Sequence, residues 1–128
     1  MTAIPDTHRD LLNSAVGVLA TLGPDGQPQV TALWFLFDGT DIRFSVNETR
    51  QKAKNMMGDP RVTFFVTDPA DPYRTLEVRA IADWHFDEDR SLARALGAKY
   101  DADVSTMDGP GERRLAVTLR PVKVNTYG

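Results

Sequence analysis

The hydrophobic and polar positions of this chain form short periodic runs that are separated by turn-forming clusters. Residues 23–26 (Gly-Pro-Asp-Gly) and 68–72 (Asp-Pro-Ala-Asp-Pro) are typical of turns between strands. In the longest run, residues 76–86, every second position is apolar, which predicts a strand with one face against a core. The pattern as a whole predicts six strands, at residues 15–22, 29–37, 41–46, 61–67, 76–86 and 113–126.

Two of these strands depart from simple alternation. The strand at 29–37 is apolar on both faces from Ala32 onward, which predicts a central strand that is covered on both sides. The last strand changes the parity of its apolar positions at Arg120 and Pro121, which predicts a bulge or an edge there.

Three segments have helical patterns: the residues that follow Pro5, residues 50–57 and residues 87–99. In the middle one, Ala53, Met56 and Met57 share a face, with Thr49 as the expected N-cap. The order is helix, three strands, helix, two strands, helix, strand. Six strands with mostly short connections favour a mainly β fold, a small antiparallel barrel whose ends the helices cover.

Composition narrows the class of protein. The 128 residues suit a single domain over 1–128, with 41% hydrophobic and 26% charged residues and no cysteine. No apolar run reaches the roughly 18 residues of a membrane span, and the polar start lacks the apolar core of a signal peptide, so we expect a cytoplasmic protein without a membrane partner. The net charge of −3 argues against a nucleic-acid partner.

A local basic cluster is the most informative chemical feature. Arg50 and Lys52 fall in the first turn of the predicted helix, with Lys54 and Arg61 nearby. Cations there oppose the helix dipole, at a cost of about 0.3–1 kcal/mol each, whereas a bound anion would reverse that cost. The alternative is a solvated basic face, partly paired with Glu48.

The polar loop from Asp101 to Glu112 has acidic and polar residues at offsets that resemble a calcium-binding loop. The sixth position is Thr106 instead of Gly, and Pro110 interrupts the loop, so we expect no metal site here. His8 and His85 are isolated from each other and from other ligands, so we also expect no zinc site.

The residues also resemble a known family. Residues 16–22 and 25–30 resemble the opening hairpin of the pyridoxamine-phosphate-oxidase-like family, and residues 44–55, continued by 59–62, resemble its phosphate-binding segment. The strand that ends near Trp84 and the segment 120–124 fit as well. The resemblance implies a six-stranded antiparallel Greek-key split β-barrel of the FMN-binding type, forming a homodimer with cofactor sites at the interface.

The resemblance also implies the roles of particular residues. Arg50 and Lys52 would grip the cofactor phosphate, while Ser45 and Val46 would line its path. The positions expected along the ring are Gln29, Val30 and Thr31, and Tyr73 matches a region in which the partner chain covers the ring.

Within the family, the short chain and the spacing of residues 48–55 resemble the branch that uses the deazaflavin coenzyme F-420. Lys54 and Arg61 would then bind its polyglutamate tail. The expected function is an oxidoreductase that reduces a small conjugated or heteroaromatic substrate; the ring performs the transfer, so no catalytic side chain is assigned. The alternatives are an FMN-dependent enzyme, a cofactor carrier without turnover, and a haem-binding relative. Because the chain stops at Gly128, without the C-terminal substrate contacts of the true pyridoxamine phosphate oxidases, we do not expect vitamin B6 oxidation.

Overall fold

The computed structural model describes residues 3–128, which form one antiparallel sheet with a few short helices. The strands of the sheet are β1 (Gly17–Leu22), β2 (Pro28–Leu33), β3 (Leu36–Phe37), β4 (Ile42–Asn47), β5 (Arg61–Asp68), β6 (Asp71–Phe86) and β7 (Arg114–Tyr127). They lie in the order β2-β1-β5-β6-β7-β4-β3. A 3-10 helix spans Asp6–Asn13, and the α-helices are α1 (Gln51–Gly58) and α2 (Ser91–Tyr100). The expected fold class, a mainly β antiparallel split barrel, is confirmed, with seven strands where six were predicted.

The additional strand arises because the segment predicted as one strand at 29–37 divides into β2 and β3. Between them Phe35 turns into the core with no exposed surface. Its amide donates to the Tyr100 hydroxyl (3.1 Å), and its carbonyl accepts from Lys99 Nζ (2.7 Å) and from the same hydroxyl. Side chains of α2 thus replace a neighbouring strand as the partners of this backbone.

The prediction that this segment is a central, covered strand is wrong for β2. Among the described residues, β2 pairs only with β1 and lies at the edge of the sheet. Val30 is 63% exposed there. The apolar residues on the second face of β2 therefore remain open in the isolated chain.

The long period-2 pattern is confirmed in β6, where Leu76 and Val78 are fully buried. The parity change in β7 is confirmed as an irregularity in the pairing of β6 with β7. Arg79 pairs with Lys123, and the next residue, Ala80, pairs with Pro121. A proline fits here because a bulge relieves the requirement for a ladder hydrogen bond.

The core lies against the inner face of the sheet and is closed by α1 and the 3-10 helix. Phe35 and Phe64 meet edge to face, with ring centroids 4.9 Å apart. Gly17 allows this contact, since a Cβ atom built there would lie 2.4 Å from Phe64 Cε1. No helix among residues 3–128 is both long enough and apolar enough to cross a membrane.

Both α-helices begin later than predicted. The N-cap of α1 is Arg50 and not Thr49. The buried face of α1 also differs from the prediction: it includes Asn55, whereas Met57 is 38% exposed. In α2, the turn formed by residues 87–90 precedes the helix. The buried Asp87 accepts a hydrogen bond from the Ala93 amide (3.1 Å), which satisfies one of the free donors of the first turn.

Candidate functional site

A cleft of about 790 Å³ opens between the edge strand β2, the end of β4, the first turn of α1, and α2 with the loop that follows it. One end of the cleft is polar and cationic, and the other is apolar and aromatic. The polar end is lined by Gln29, Thr31, Ser45, Asn47, Thr49, Arg50, Gln51, Lys52, Glu112 and Arg114. The remaining lining residues are Ala32, Leu33, Trp34, Val46, Ala93, Leu96, Val104 and Met107.

The first turn of α1 supplies two cations to the polar end. Arg50 and Lys52 both lack an ion-pair partner among residues 3–128, and no side chain caps the helix. The amides of Gln51 and Lys52 likewise donate to no acceptor in that part of the chain. Free amides, the helix dipole and two positive side chains together make a site for an anion.

The electrostatics of Lys52 match that reading. Burial lowers the pKa of Lys52 from its ordinary value, and the positive charges of Arg50 and Arg114 lower it further. Within residues 3–128 the Lys52 side chain has one hydrogen-bond partner, the Thr31 hydroxyl at 3.4 Å. Glu48, the expected partner for a solvated basic face, instead binds the Arg113 amide (2.7 Å) and guanidinium, which hold the pKa of Glu48 below its usual value.

Arg114 is a third cation at this end, and the sequence analysis missed it. Its Nε donates to Ser45 Oγ (2.8 Å), and its Nη1 lies 2.7 Å from Asp108. Little in the sequence pointed to this role, because Arg114 alternates with the apolar Leu115 and Val117 and so has the pattern of a surface position on the last strand. Only the pairing of β4 with β7, which places Arg114 beside Asn47, brings it to the cleft.

A buried polar network supports the same end. The side chain of Asp108 is 1% exposed and forms ion pairs with Arg114 and Arg90. Asn47 donates to Asp108 (2.7 Å) and Glu112 (3.0 Å), and it accepts hydrogen bonds from Thr49.

Hydrogen bonds within the chain explain the acidic residues of the polar loop that resembles a calcium-binding loop. Glu112 also accepts from the Gly109 amide (2.7 Å), and Asp103 accepts from the Ser105 amide (2.9 Å), so both carboxylates serve the loop itself. No cluster of three metal-ligating side chains occurs among residues 3–128.

The other end of the cleft is walled by Trp34. Its indole ring stacks on Tyr100 with centroids 4.4 Å apart and an interplanar angle of 5°. The Tyr100 hydroxyl is itself held by the backbone of Phe35. Trp34 therefore presents a braced aromatic surface to the cleft, which suits a flat, weakly polar group.

Six of the ten residues predicted for the site line this cleft: Gln29, Thr31, Ser45, Val46, Arg50 and Lys52. Four do not. Val30 points away from it on β2, Lys54 is exposed on α1, and Tyr73 is 77% exposed at the hairpin between β5 and β6. Arg61 pairs with Asp59 (2.7 Å) and lines a separate cavity of about 430 Å³.

The lining residues suit the binding of a ligand that has an anionic group and an apolar or aromatic group. The cleft can hold a phosphate or carboxylate at its cationic end while a planar group lies toward Trp34. Such an elongated ligand would contact backbone and side chains of β2 and β4 along its length.

Comparison with known proteins gives the same picture. A sequence model of the pyridoxamine 5'-phosphate oxidase family matches residues 4–127. A solved structure described as an F-420 reductase is 35% identical and superimposes with a TM-score of 0.84, covering 95% of this chain and 98% of that one. The conserved hypothetical protein Rv2991 from Mycobacterium tuberculosis is 26% identical, with a TM-score of 0.78, over 98% of this chain and 86% of that one. The heme storage protein HutZ from Vibrio cholerae shares the fold alone, at 15% identity and a TM-score of 0.76, over 100% and 96% of the two chains.

Proposed function

Since the chain belongs to the pyridoxamine 5'-phosphate oxidase family, as its sequence motifs indicated, we propose that it is an oxidoreductase that holds the deazaflavin coenzyme F-420 in this cleft. In its reduced form the coenzyme would reduce a small conjugated or heteroaromatic substrate. The coenzyme supplies hydride transfer when bound, and the chain supplies binding and orientation.

One observation carries the proposal: Arg50 and Lys52, which have no carboxylate partner among residues 3–128, stand at the start of α1, where no side chain of those residues caps the helix, inside a cleft large enough for an elongated cofactor. A cationic side chain that is partly buried without a counter-ion is unfavourable for folding, and the lowered pKa of Lys52 reflects this. A phosphate bound there would provide the missing charge. The similarity to the F-420 reductase, at 35% identity, supports the deazaflavin coenzyme as the molecule whose phosphate binds there.

The remaining cleft residues would orient the cofactor. Ser45 and Val46 line the cleft from β4, and Gln29 and Thr31 line it from β2. Asn55, which is buried in α1, donates to the Gln29 side chain (3.2 Å) and so fixes its position. Gln29, Thr31 and Trp34 are the residues that would hold the cofactor's ring.

FMN is the second candidate for the same site. Arg61 was expected to bind the polyglutamate tail together with Lys54, but it is paired with Asp59 and lies at a different cavity. That placement leaves Lys54 alone to serve a tail, which favours a cofactor that needs no tail contact. A haem bound through histidine gains no support from the cleft, because neither His8 nor His85 lines it.

We further propose that the protein is a homodimer. Apolar residues of the outer face of the sheet and of its β2 edge are exposed in the described part of the chain: Val30 is 63% exposed, Ile81 38% and Phe65 36%. Exposed apolar groups that lie close together mark an interaction surface. The family resemblance implies that Tyr73, which is 77% exposed, would cover the ring that the partner chain binds.

The test is a parallel titration of the apo protein with F-420 and with FMN, followed by tryptophan fluorescence. Because Trp34 lines the cleft whereas Trp84 packs against Phe86 in the core, a Trp34→Phe variant identifies the source of the signal. Tighter binding of F-420, together with oxidation of reduced F-420 in the presence of a conjugated substrate, supports the proposal. Tighter binding of FMN moves the protein to the flavin-dependent branch, and binding without turnover of any substrate indicates a carrier.

A further inference from the structure

Asp108 is a buried acid for which the proposed function, taken alone, has no use. It lies in the loop after α2, and its side chain is 1% exposed. Three donors reach it from three parts of the fold: Arg90 before α2, Asn47 at the end of β4, and Arg114 at the start of β7. Burial by itself would raise the pKa of Asp108, but the hydrogen bond from Asn47, the charge and hydrogen bond of Arg114 and the hydrogen bond from Arg90 outweigh burial, so its pKa lies below the ordinary value.

Asp108 is one of the groups that fix the orientation of the Arg114 guanidinium. Arg114 is held on three sides: Nε by Ser45 Oγ (2.8 Å), Nη1 by Asp108 (2.7 Å) and Nη2 by the Ser45 carbonyl (3.4 Å). A guanidinium has five N–H donors, so two of them remain for a ligand. The side chain of Arg114 is 14% exposed, lines the cleft, and is close enough to lower the pKa of Lys52.

From this geometry we propose that Asp108 is a positioning residue: it fixes the guanidinium of Arg114 against β4, so that Arg114 acts with Arg50 and Lys52 as the third cation of the anion site. The inference rests on the proposed function, since it concerns the same site. It makes the loop that carries Asp108 part of the binding apparatus.

The charges of Asp108 and its two ion-pair partners agree with this role. Arg90 and Arg114 contribute two positive charges and Asp108 one negative charge, so these three residues keep a net charge of +1. Glu112, which is joined to them through Asn47, adds one negative charge at the cleft. Arg90 compensates Asp108 from the side away from the cleft, since Arg90 does not line it. Arg114 thus remains available as a cation toward the cleft while its position is fixed.

The experiment is a double-mutant cycle on the full-length protein, with inorganic pyrophosphate and FMN as probes and calorimetry as the readout. Asp108→Asn should weaken the binding of both probes about tenfold, as should Arg114→Gln. In the Arg114→Gln background, Asp108→Asn should cause no further loss, because Asp108 acts through Arg114. A purely structural role would give the same loss in both backgrounds, and that result would overturn the inference.

The matched control is Arg90→Gln, which breaks the other ion pair of Asp108 without removing a cation from the cleft. It should lower the melting temperature and leave pyrophosphate affinity within twofold of the wild type; a tenfold loss would contradict the proposal. If Asp108→Asn does not fold, Arg114→Lys replaces it. Lysine keeps the charge but cannot make the three hydrogen bonds that fix the guanidinium, so the affinity for pyrophosphate should again fall about tenfold. Wild-type affinity would overturn the inference.

The two proposals can fail separately. Wild-type protein that binds pyrophosphate but neither F-420 nor FMN contradicts the proposed function and leaves the cycle to be measured with pyrophosphate. Wild-type protein that binds F-420, together with an additive cycle, contradicts the role of Asp108 alone.

Discussion

Replacing Lys52 with methionine should weaken anion binding without weakening the fold. Methionine keeps the unbranched, flexible shape of the side chain and removes the charge. Lys52 lies in the first turn of α1 and is partly buried, and in the part of the chain that the structure describes its side chain bonds only to the Thr31 hydroxyl, at 3.4 Å. In the apo protein the charge therefore has little to stabilise it.

The expected magnitudes follow from that setting. A cation in the first turn of a helix costs about 0.3–1 kcal/mol, so the free energy of unfolding of Lys52→Met should equal or exceed that of the wild type by up to about this amount. A charged hydrogen bond to the anion is worth about 1.5–3 kcal/mol. Its loss should reduce the affinity for pyrophosphate or FMN by a factor of about 10 to 150.

The pH dependence has a defined sign. Because the pKa of Lys52 is lowered in the folded protein, the cost of its charge is fully present at neutral pH. That cost disappears as the pH rises through the lowered pKa toward the ordinary value of 10.5. The stability advantage of Lys52→Met should therefore shrink at alkaline pH.

The assay is urea unfolding in a buffer without phosphate, followed by titration with pyrophosphate and FMN. The matched control is Lys54→Met, two residues along the same helix, since Lys54 is exposed and does not line the cleft. Lys54→Met should change neither quantity. A Lys52→Met variant that is clearly destabilised but binds both probes normally would refute the reasoning and make Lys52 a structural cation.

Three further predictions concern the fold and the assembly. Gly17→Ala should lower the free energy of unfolding by about 1–3 kcal/mol in urea, because the new methyl group would meet Phe64 at 2.4 Å. Asn55→Ala should lower it by a similar amount, since the buried Thr21 hydroxyl loses its donor at 3.0 Å; a change below about 0.5 kcal/mol would contradict this. Phe65→Glu should shift the protein from dimer to monomer in light scattering with an unchanged circular dichroism spectrum, and a dimeric variant would place the interface elsewhere.

The local periodicity of the sequence predicted most of the sheet, because strands such as β5 and β6 bury alternate residues. It failed where distant groups determine the backbone. The break between β2 and β3 depends on Lys99 and Tyr100, which bond to Phe35 from α2, 64 and 65 residues away. The apolar character on both faces of this segment was read as burial within a sheet, whereas it reflects the aromatic contact of Trp34 with α2 and an open outer face.

The same distinction applies to the candidate site. Arg50 and Lys52 could be found because their signal is local: positive residues where a helix prefers negative ones. Asp108 and Arg114 could not, because their roles depend on partners 61 and 69 residues away, at Asn47 and Ser45. The pairing of distant strands such as β4 and β7 is not visible in a single sequence, so the pattern around Arg114 predicts only a surface residue.

The start of α1 links the stability of this fold to the binding of an anionic ligand in the cleft. A helix that only covered the core would be more stable with Ser or Asp as its N-cap, by about 0.5–2 kcal/mol, and with acidic residues in its first turn. Here Arg50 is the N-cap, no side chain caps the helix, and Lys52 follows two residues later. These choices are unfavourable in the apo protein and become favourable once an anion accepts the free amides and both charges. Ligand at 100 times its dissociation constant should then stabilise the protein by about 2.7 kcal/mol, and α1 should be the segment whose amide exchange slows most.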